Sequence, residues 1–122
     1  MSGYTDGFVI TVPKANLAQY KKMAETANLV WLEHGALDYK ECVGDDLDTG
    51  GQCGSFLGAL NIKEDETVVF SWISYKSKEH RDEVNAKVME DPRIAGMCGS
   101  DDMPFDPQKM LYGGFEVMVS KS

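Results

Sequence analysis

Long apolar runs, a disulfide framework and a secretory signal are all missing from this sequence. Its longest apolar stretches, residues 8–12 and 68–73, have the length of strands and are far too short to cross a membrane. The first residues lack the basic start and apolar core of a signal peptide, so the sequence favours a cytoplasmic protein with no membrane partner. The three cysteines, Cys42, Cys53 and Cys98, are odd in number and widely spaced, which is typical of reduced thiols, and Cys98 is expected to be the most accessible.

Basic charge is also scarce. The 12 lysines and arginines face 20 aspartates and glutamates, which gives a formal net charge of -8. Such a field repels phosphate backbones and anionic lipids, so nucleic acid is not expected as a partner. The two histidines and three cysteines form no close pair, and no glycine-rich run precedes a helix. The pattern therefore predicts no metal site, no phosphate cradle and no cofactor.

What the sequence does contain is an alternation of strand and helix patterns. With 122 residues, of which 43% are hydrophobic, the chain is expected to form a single domain over residues 1–122. The periodicities predict a strand over residues 4–12, a helix over 17–34, a strand over 37–43, a further strand in one or two pieces over 56–62 and 67–75, a helix over 78–90 and a last strand over 110–119. This βαββαβ order predicts a ferredoxin-like α+β sandwich with an antiparallel sheet.

The first and last strands nearly repeat each other. Residues 7–12 and 114–119 both begin with Gly-Phe and continue with apolar alternation. We expect the two strands to be antiparallel neighbours in one sheet. The alternation of the last strand changes parity at Gly113 and Gly114, which predicts a β-bulge at these glycines.

The strand patterns also predict a homodimer. Two helices can cover only one face of a four-stranded sheet, yet the first and third strands are apolar on both faces. From the alternation we assign Val9, Val69, Ile73 and Tyr75 to one face, and Phe8, Ile10, Val68, Phe70 and Trp72 to the other. Soluble monomers rarely keep an exposed apolar sheet face, so we expect a second copy of the chain to pack against it, sheet to sheet.

Short blocks along nearly the whole chain carry a resemblance to a known family. They are Tyr4-Thr5-Asp6-Gly7-Phe8-Val9, Gly35-Ala36-Leu37, Val69-Phe70-Ser71-Trp72-Ile73, Asp91-Pro92-Arg93, Met103-Pro104-Phe105-Asp106 and Tyr112-Gly113-Gly114-Phe115. In this order they resemble the YbaA-like family of small bacterial proteins, most weakly between residues 44 and 66. The resemblance implies a dimeric α/β-barrel, in which ferredoxin-like monomers pair through their sheets. The family is uncharacterised, so the resemblance implies no catalytic residue.

Five residues are candidates for lining a ligand-binding cleft between the helices and the sheet. They are Trp31, His34, Trp72, Arg81 and Asn85. Trp31 and His34 end the inner stripe of the first helix, whereas Arg81 and Asn85 lie on or beside the stripe of the second. No catalytic residue can be assigned, and His34 is the one candidate for a pocket acid or base. Its alternative role is that of a packed or capping histidine.

Three charged residues lie at positions whose periodicity they share with apolar neighbours. Arg81 belongs to a helix stripe, and Asp6 and Glu41 belong to strands. Because an unpaired charge in a core is costly, these residues should pair with one another or line a wet cavity. A structural ion pair between Arg81 and a strand carboxylate and a substrate clamp are both open at this point.

The sequence supports three interpretations of function. The first is a cytosolic homodimer that binds a small, partly apolar molecule in the cleft, with Met97, Met103 and Met110 as an adaptable wall. The second is a cofactor-independent oxygenase or isomerase with His34 as base and Arg81 as anion holder, by analogy with the superfamily that the resemblance implies. The third is a non-catalytic dimeric structural module in which the aromatic residues are core and the polar residues are paired.

Overall fold

The computed structural model of the chain describes residues 3–97 and 103–120, so Cys98 lies outside the described residues. The elements along the chain are β1 (Tyr4–Pro13), α1 (Leu17–Glu33), β2 (Asp38–Val43), α2 (Phe56–Ala59), β3 (Glu66–Tyr75), α3 (Lys78–Glu90), α4 (Pro92–Ala95) and β4 (Leu111–Glu116), with single 3-10 turns at Lys14–Asn16 and Pro107–Lys109. The four predicted long strands and both predicted long helices are confirmed, and their ends differ from the prediction by a few residues.

The strands form one four-stranded sheet in the order β2-β3-β1-β4. All three neighbouring pairs are antiparallel, so the fold is α+β, and the strand order is consistent with a ferredoxin-like topology. The prediction that the first and last strands are neighbours is confirmed, since Phe8 pairs with Tyr112. No helix in residues 3–97 and 103–120 has the length and apolar character that crossing a membrane requires.

The prediction of strand structure over residues 56–62 is wrong. The segment begins with α2, and the hydroxyl of Ser55 caps this short helix by accepting a hydrogen bond of 3.0 Å from the backbone N–H of Gly58. A serine that satisfies a free N–H in this way favours a helix start over an extended chain. The apolar residues of this segment therefore suggested a strand, whereas the capping hydrogen bond to Ser55 favours a helical backbone at its start.

The predicted bulge at Gly113 and Gly114 is also wrong. The register of β4 against β1 is continuous, with Gly113 opposite Gly7 and Gly114 opposite Asp6. The glycines instead make room for aromatic rings. A Cβ atom on Gly7 or Gly113 would lie 3.2 Å or 3.5 Å from the Phe115 ring, and one on Gly114 would lie 2.8 Å from Cε2 of Tyr4.

The close approach of Tyr4 makes Gly114 the more sensitive of the two neighbouring glycines. We expect Gly114→Ala to destabilise the protein by about 1–3 kcal/mol, because the new methyl group displaces the Tyr4 ring. Gly113→Ala is the matched control and should change stability by less than about 0.5 kcal/mol, since its methyl group meets Phe115 at ordinary contact distance. Urea unfolding of both variants measures the difference. Equal effects would contradict the steric explanation.

One part of the predicted face assignment needs correction. The register pairs Ile10 with Val69 and Phe8 with Ser71, whereas Val9 pairs with Phe70. Because directly opposed residues share a face, Phe8 and Ile10 lie on the helix side of the sheet and Val9 lies on the other side. Alternation within a strand predicts two faces, but it does not determine which faces of two strands coincide.

The core fills the space between the helices and one face of the sheet. It consists of two clusters of buried residues, and Phe8 packs against both. The first cluster contains Val30, Ala36, Ile73, Tyr75, Val84, Val88 and Ile94, and the second contains Ile10, Val12, Tyr20, Ala24, Val69 and Phe105. The helix α1 ends where predicted, since Gly35 has φ of 115° and reverses the chain toward β2. On the opposite sheet face, called the open face below, Phe56 of the short helix α2 packs with its ring centroid 6.4 Å from that of Phe70, whereas the long helices α1 and α3 cover the other face.

Candidate functional site

A cavity of about 430 Å³ lies between the helices and the helix-facing side of the sheet. Most of its wall is apolar or aromatic, and β1 and β2 contribute the carboxylates of Asp6 and Glu41. The helices α1 and α3 contribute Trp31 and Asn85. Five methionines form a flexible part of the wall, namely Met23, Met89, Met97, Met103 and Met110.

At one end of the cavity, Asp6 forms a buried ion pair. Nη1 of Arg81 donates a hydrogen bond of 2.9 Å to Oδ1 of Asp6 and one of 2.7 Å to the hydroxyl of Tyr112. The guanidinium also bonds to Asp82 and lies 5.0 Å from the centre of the Tyr4 ring. Burial raises the pKa of Asp6, and the charge of Arg81 and hydrogen bonds to Tyr112 and Asn85 oppose that increase.

Asn85 joins the two helices to the sheet beside this ion pair. Its Oδ1 accepts hydrogen bonds from Nε1 of Trp31, at 3.1 Å, and from the hydroxyl of Tyr75, at 3.3 Å. Burial is the main reason why the pKa of Tyr75 is raised, so its hydroxyl stays protonated and remains a donor. The indole of Trp31 is thereby fixed in one orientation at the cavity wall.

Glu41 occupies another part of the cavity wall and is held by two tyrosines. The hydroxyl of Tyr20 donates to Oε1 of Glu41 and that of Tyr39 donates to Oε2, both at 2.6 Å. Burial, followed by the charge of Glu41, raises the pKa of both tyrosines. The two hydroxyls therefore stay protonated and keep the carboxylate in one orientation.

A second depression, of about 720 Å³, lies between α1 and the edge strand β2. It shares Tyr20, Tyr39 and Glu41 with the cavity, so the carboxylate of Glu41 borders both spaces. Exposed Leu29 and Val43 also line this outer groove.

The five sequence-predicted candidates do not all come together. Trp31 and Asn85 line the cavity and are joined by a hydrogen bond. Arg81 is not in the wall, but it holds Asp6, which is. Trp72 does not line the cavity, because it pairs with Gly7 and Lys40 in the sheet and lies on the open face. The binding role of these residues stays a prediction.

His34 likewise lies outside the cavity wall. Its Nε2 is 2.9 Å from Oδ2 of Asp91, the residue that caps α4. Arg93 also bonds to Asp91, and the hydrogen bonds from Arg93 and His34 lower the pKa of Asp91. This arrangement ties the end of α1 to the start of α4, and the pocket base predicted from the sequence faces a carboxylate instead of the cavity. The sequence contains both residues, but their separation along the chain gave no signal of the contact.

Tyr20, Tyr39 and Glu41 are the group that sequence reasoning did not assemble. The helical period of α1 puts Tyr20 on the same stripe as Trp31, and Glu41 is in phase with an apolar strand face. Nothing in a single sequence determines that this turn of α1 lies over β2. Among the described residues, no cluster of histidine, cysteine, aspartate and glutamate could hold a metal ion.

Comparison with known proteins places the chain in a family. Residues 3–107 match the family described as "Protein of unknown function (DUF1428)". The chain is 43% identical over 118 residues to the "Uncharacterized protein YbaA" of Escherichia coli strain K12. The aligned region covers 97% of this chain and 98% of that protein. The same figures hold for the protein of that name from Shigella flexneri. Among solved structures, "De novo designed protein Foldit4" shares 7% identity over 98% of this chain and 100% of that chain, with a TM-score of 0.41, which is too distant to bear on the fold. The similarity to the YbaA proteins confirms the resemblance found from the sequence, and the chain belongs to the DUF1428 family of proteins of unknown function.

Proposed function

We propose that this protein is a cytoplasmic homodimer of the dimeric α/β-barrel type, in which each subunit binds a small, partly apolar molecule in the cavity between its helices and sheet. The observation that carries the proposal is the cavity itself. Its volume of about 430 Å³ suits a small ligand, and its apolar wall surrounds a few polar groups whose orientation is fixed by hydrogen bonds. The five methionines of the wall can adapt to the shape of a ligand.

The open face of the sheet supports the dimer. Phe70 on β3 and Leu111 and Phe115 on β4 are 45%, 55% and 61% exposed, although all three lie in one sheet. Phe70 packs with Trp72, with ring centroids 5.6 Å apart, so the aromatic surface is continuous on β3. An apolar surface of this kind is characteristic of an interface.

Charge favours a second copy of the chain as the occupant of this face. The net charge of -8 makes two copies repel each other over most of their surface. On the open face, the alternating positions Phe70, Trp72 and Ser74 of β3 and Leu111, Gly113 and Phe115 of β4 are uncharged, and β2 adds Asp38 and Lys40, which form a salt bridge. An isologous contact brings each patch against itself, so a neutral patch is the surface through which two such chains can meet.

The two alternatives receive different support. The geometry does not support an oxygenase or isomerase with His34 as base, because His34 faces Asp91 outside the cavity wall. A non-catalytic structural module is consistent with the ion pair between Asp6 and Arg81. This module would need no ligand, so ligand binding distinguishes it from the proposed function.

A cavity-filling variant tests ligand binding. Ala27 lines the cavity, whereas Ala86 is exposed on α3 and lines neither the cavity nor the outer groove. In a thermal-shift screen of small metabolites, a ligand at about ten times its dissociation constant should stabilise the native protein by about 1.4 kcal/mol, which is a rise in Tm of about 5 °C. Ala27→Leu should at least halve the rise, and Ala86→Leu should leave it unchanged.

Two outcomes would contradict the proposal. The first is a screen in which no compound raises the Tm of the wild-type protein. The second is a set of stabilising compounds that raise the Tm of Ala27→Leu as much as that of the wild type, which would place their site outside the cavity. Circular dichroism of both variants checks that each is folded.

A further inference from the structure

We infer that the ligand of the cavity carries a positively charged amine, and that the amine pairs with the carboxylate of Glu41. This inference rests on the proposed function and specifies its ligand class. The two acidic residues of the cavity wall, Asp6 and Glu41, differ in their partners. Asp6 is only 1% exposed and has a cationic partner, because Arg81 bonds to it at 2.9 Å. Glu41 has none.

Of the two carboxylates in the cavity wall of the described chain, Glu41 is the one that lacks a cationic partner. In residues 3–97 and 103–120, no lysine, arginine or histidine forms a salt bridge with Glu41. Lys21 lines the outer groove that Glu41 borders, but it makes no such bond. The two hydrogen-bond partners of Glu41 are the neutral tyrosines Tyr20 and Tyr39, which orient the carboxylate but do not compensate its charge. Glu41 is partly buried, and charges withdrawn from water in proteins are ordinarily paired, so a cationic ligand would supply the partner that Glu41 lacks.

The hydrogen bonds at Glu41 leave room for a further donor. Each oxygen of an ionised carboxylate has two lone pairs, and Tyr20 and Tyr39 take one on each oxygen. An ammonium group has three N–H donors and can use the remaining positions. Because the tyrosines already fix the carboxylate, an amine binds without the entropic cost of ordering it.

The rest of the wall suits a cation with an apolar body and disfavours an anion. Trp31 and Tyr39 lie with ring centroids 6.1 Å apart at 44°, which gives an aromatic corner beside Glu41 that can contact an alkylammonium ion through the ring faces. Within the described chain, the charged residues of the wall are Asp6 and Glu41, and both are acidic. A carboxylate or phosphate ligand would therefore meet like charge, with Arg81 already bonded to Asp6 and Asp82.

Matched compounds that differ only in their head group test this inference. We would titrate the wild-type protein by calorimetry with an amine, an alcohol and a carboxylic acid on each of three bodies, namely phenylethyl, indolylethyl and hexyl. The amine of each set should bind at least about tenfold more tightly than its alcohol and its acid. Glu41→Gln should remove that preference, so that each amine binds no more tightly than its alcohol. Glu25→Gln, which removes the same charge from an exposed position in the outer groove, should keep it.

The outcomes separate the inference from the proposed function. Alcohols or acids that bind as tightly as the amines, or an amine preference that survives Glu41→Gln, would overturn the inference and leave the cavity as a binding site. If none of these compounds binds while the metabolite screen yields neutral or anionic ligands sensitive to Ala27→Leu, the inference is also wrong and the proposed function stands. If the screen yields no ligand either, both fail.

Discussion

Arg81→Met is expected to destabilise the protein by about 3–5 kcal/mol at neutral pH. The side chains of Arg81 and Asp6 are only 13% and 2% exposed, so removal of the guanidinium leaves a carboxylate in the interior without a cation. Methionine keeps most of the volume of the arginine stem, so the loss reports on charge more than on packing. Urea unfolding at pH 7 measures it.

A double-mutant cycle separates the unpaired charge from other effects. Asp6→Asn should cost only about 1–2 kcal/mol, because the released Arg81 keeps its contacts with Asp82 and Tyr112. In the Asp6→Asn background, Arg81→Met no longer leaves a buried carboxylate without a cation. The double variant should therefore be more stable than Arg81→Met alone by at least about 1 kcal/mol. Strictly additive effects would contradict the buried ion pair as the source of the loss.

The pH dependence of Arg81→Met has a defined sign. Burial raises the pKa of Asp6 above its ordinary value of 3.8, and Arg81 opposes that increase, so removal of Arg81 raises the pKa further. A carboxyl group whose pKa is raised by folding favours the native state below its unfolded pKa, and this contribution is lost as the pH rises through its folded pKa. The deficit of Arg81→Met against the wild type should thus shrink as the pH falls from 7 toward 4. A deficit that stays constant would contradict the assignment to Asp6.

Phe70→Glu is expected to convert a dimer into a monomer. The wild-type protein should have twice the 13.5 kDa mass of the chain in light scattering at micromolar concentration. Because Phe70 lies within the neutral open face, a glutamate there buries two unpaired charges in a symmetric interface and should weaken the dimer by about a hundredfold or more. The monomer should stay folded, since the Phe70 side chain is already 45% exposed within one chain.

Two further variants control the dimer experiment. Leu111→Glu changes a second exposed position of the open face, and it should also give a monomer. Leu32→Glu introduces the same charge at a residue of α1 that is 42% exposed and lies away from the sheet, and it should leave the dimer intact. A wild-type mass equal to that of one chain, or dissociation by Leu32→Glu as readily as by Phe70→Glu, would contradict the sheet-to-sheet dimer.

The sequence predicted the parts of the fold that depend on local pattern. Alternation along residues 4–12 and 67–75 indicated strands, and the helices predicted over residues 17–34 and 78–90 are bounded in the structure by Gly35 and by the capping residue Ser77. The register between strands depends on tertiary pairing, so the face of Val9 was assigned wrongly and two glycines that accommodate rings were interpreted as a bulge.

In the candidate site, too, the sequence predicted what depends on local periodicity and missed what depends on tertiary packing. Periodicity indicated that Asp6, Glu41 and Arg81 have to be paired or to line a cavity, and the structure contains both situations, with Asp6 paired to Arg81. It could not predict which carboxylate takes the arginine, since that depends on how α3 lies across the sheet. The contact of His34 with Asp91 was equally hidden, because the two residues meet only after the end of α1 packs against α4.

The most direct test of ligand binding in the cavity uses the two tryptophans as reporters. The indole N–H of Trp31 donates to Asn85 at the cavity wall, whereas Trp72 lies on the open face of the sheet. A two-dimensional 15N NMR spectrum resolves both indole signals, and Trp72→Phe assigns them. On titration with a compound that raises the Tm, the signal of Trp31 should shift with saturation while that of Trp72 stays in place. A saturating shift of Trp72 with no change at Trp31 would contradict binding in the cavity.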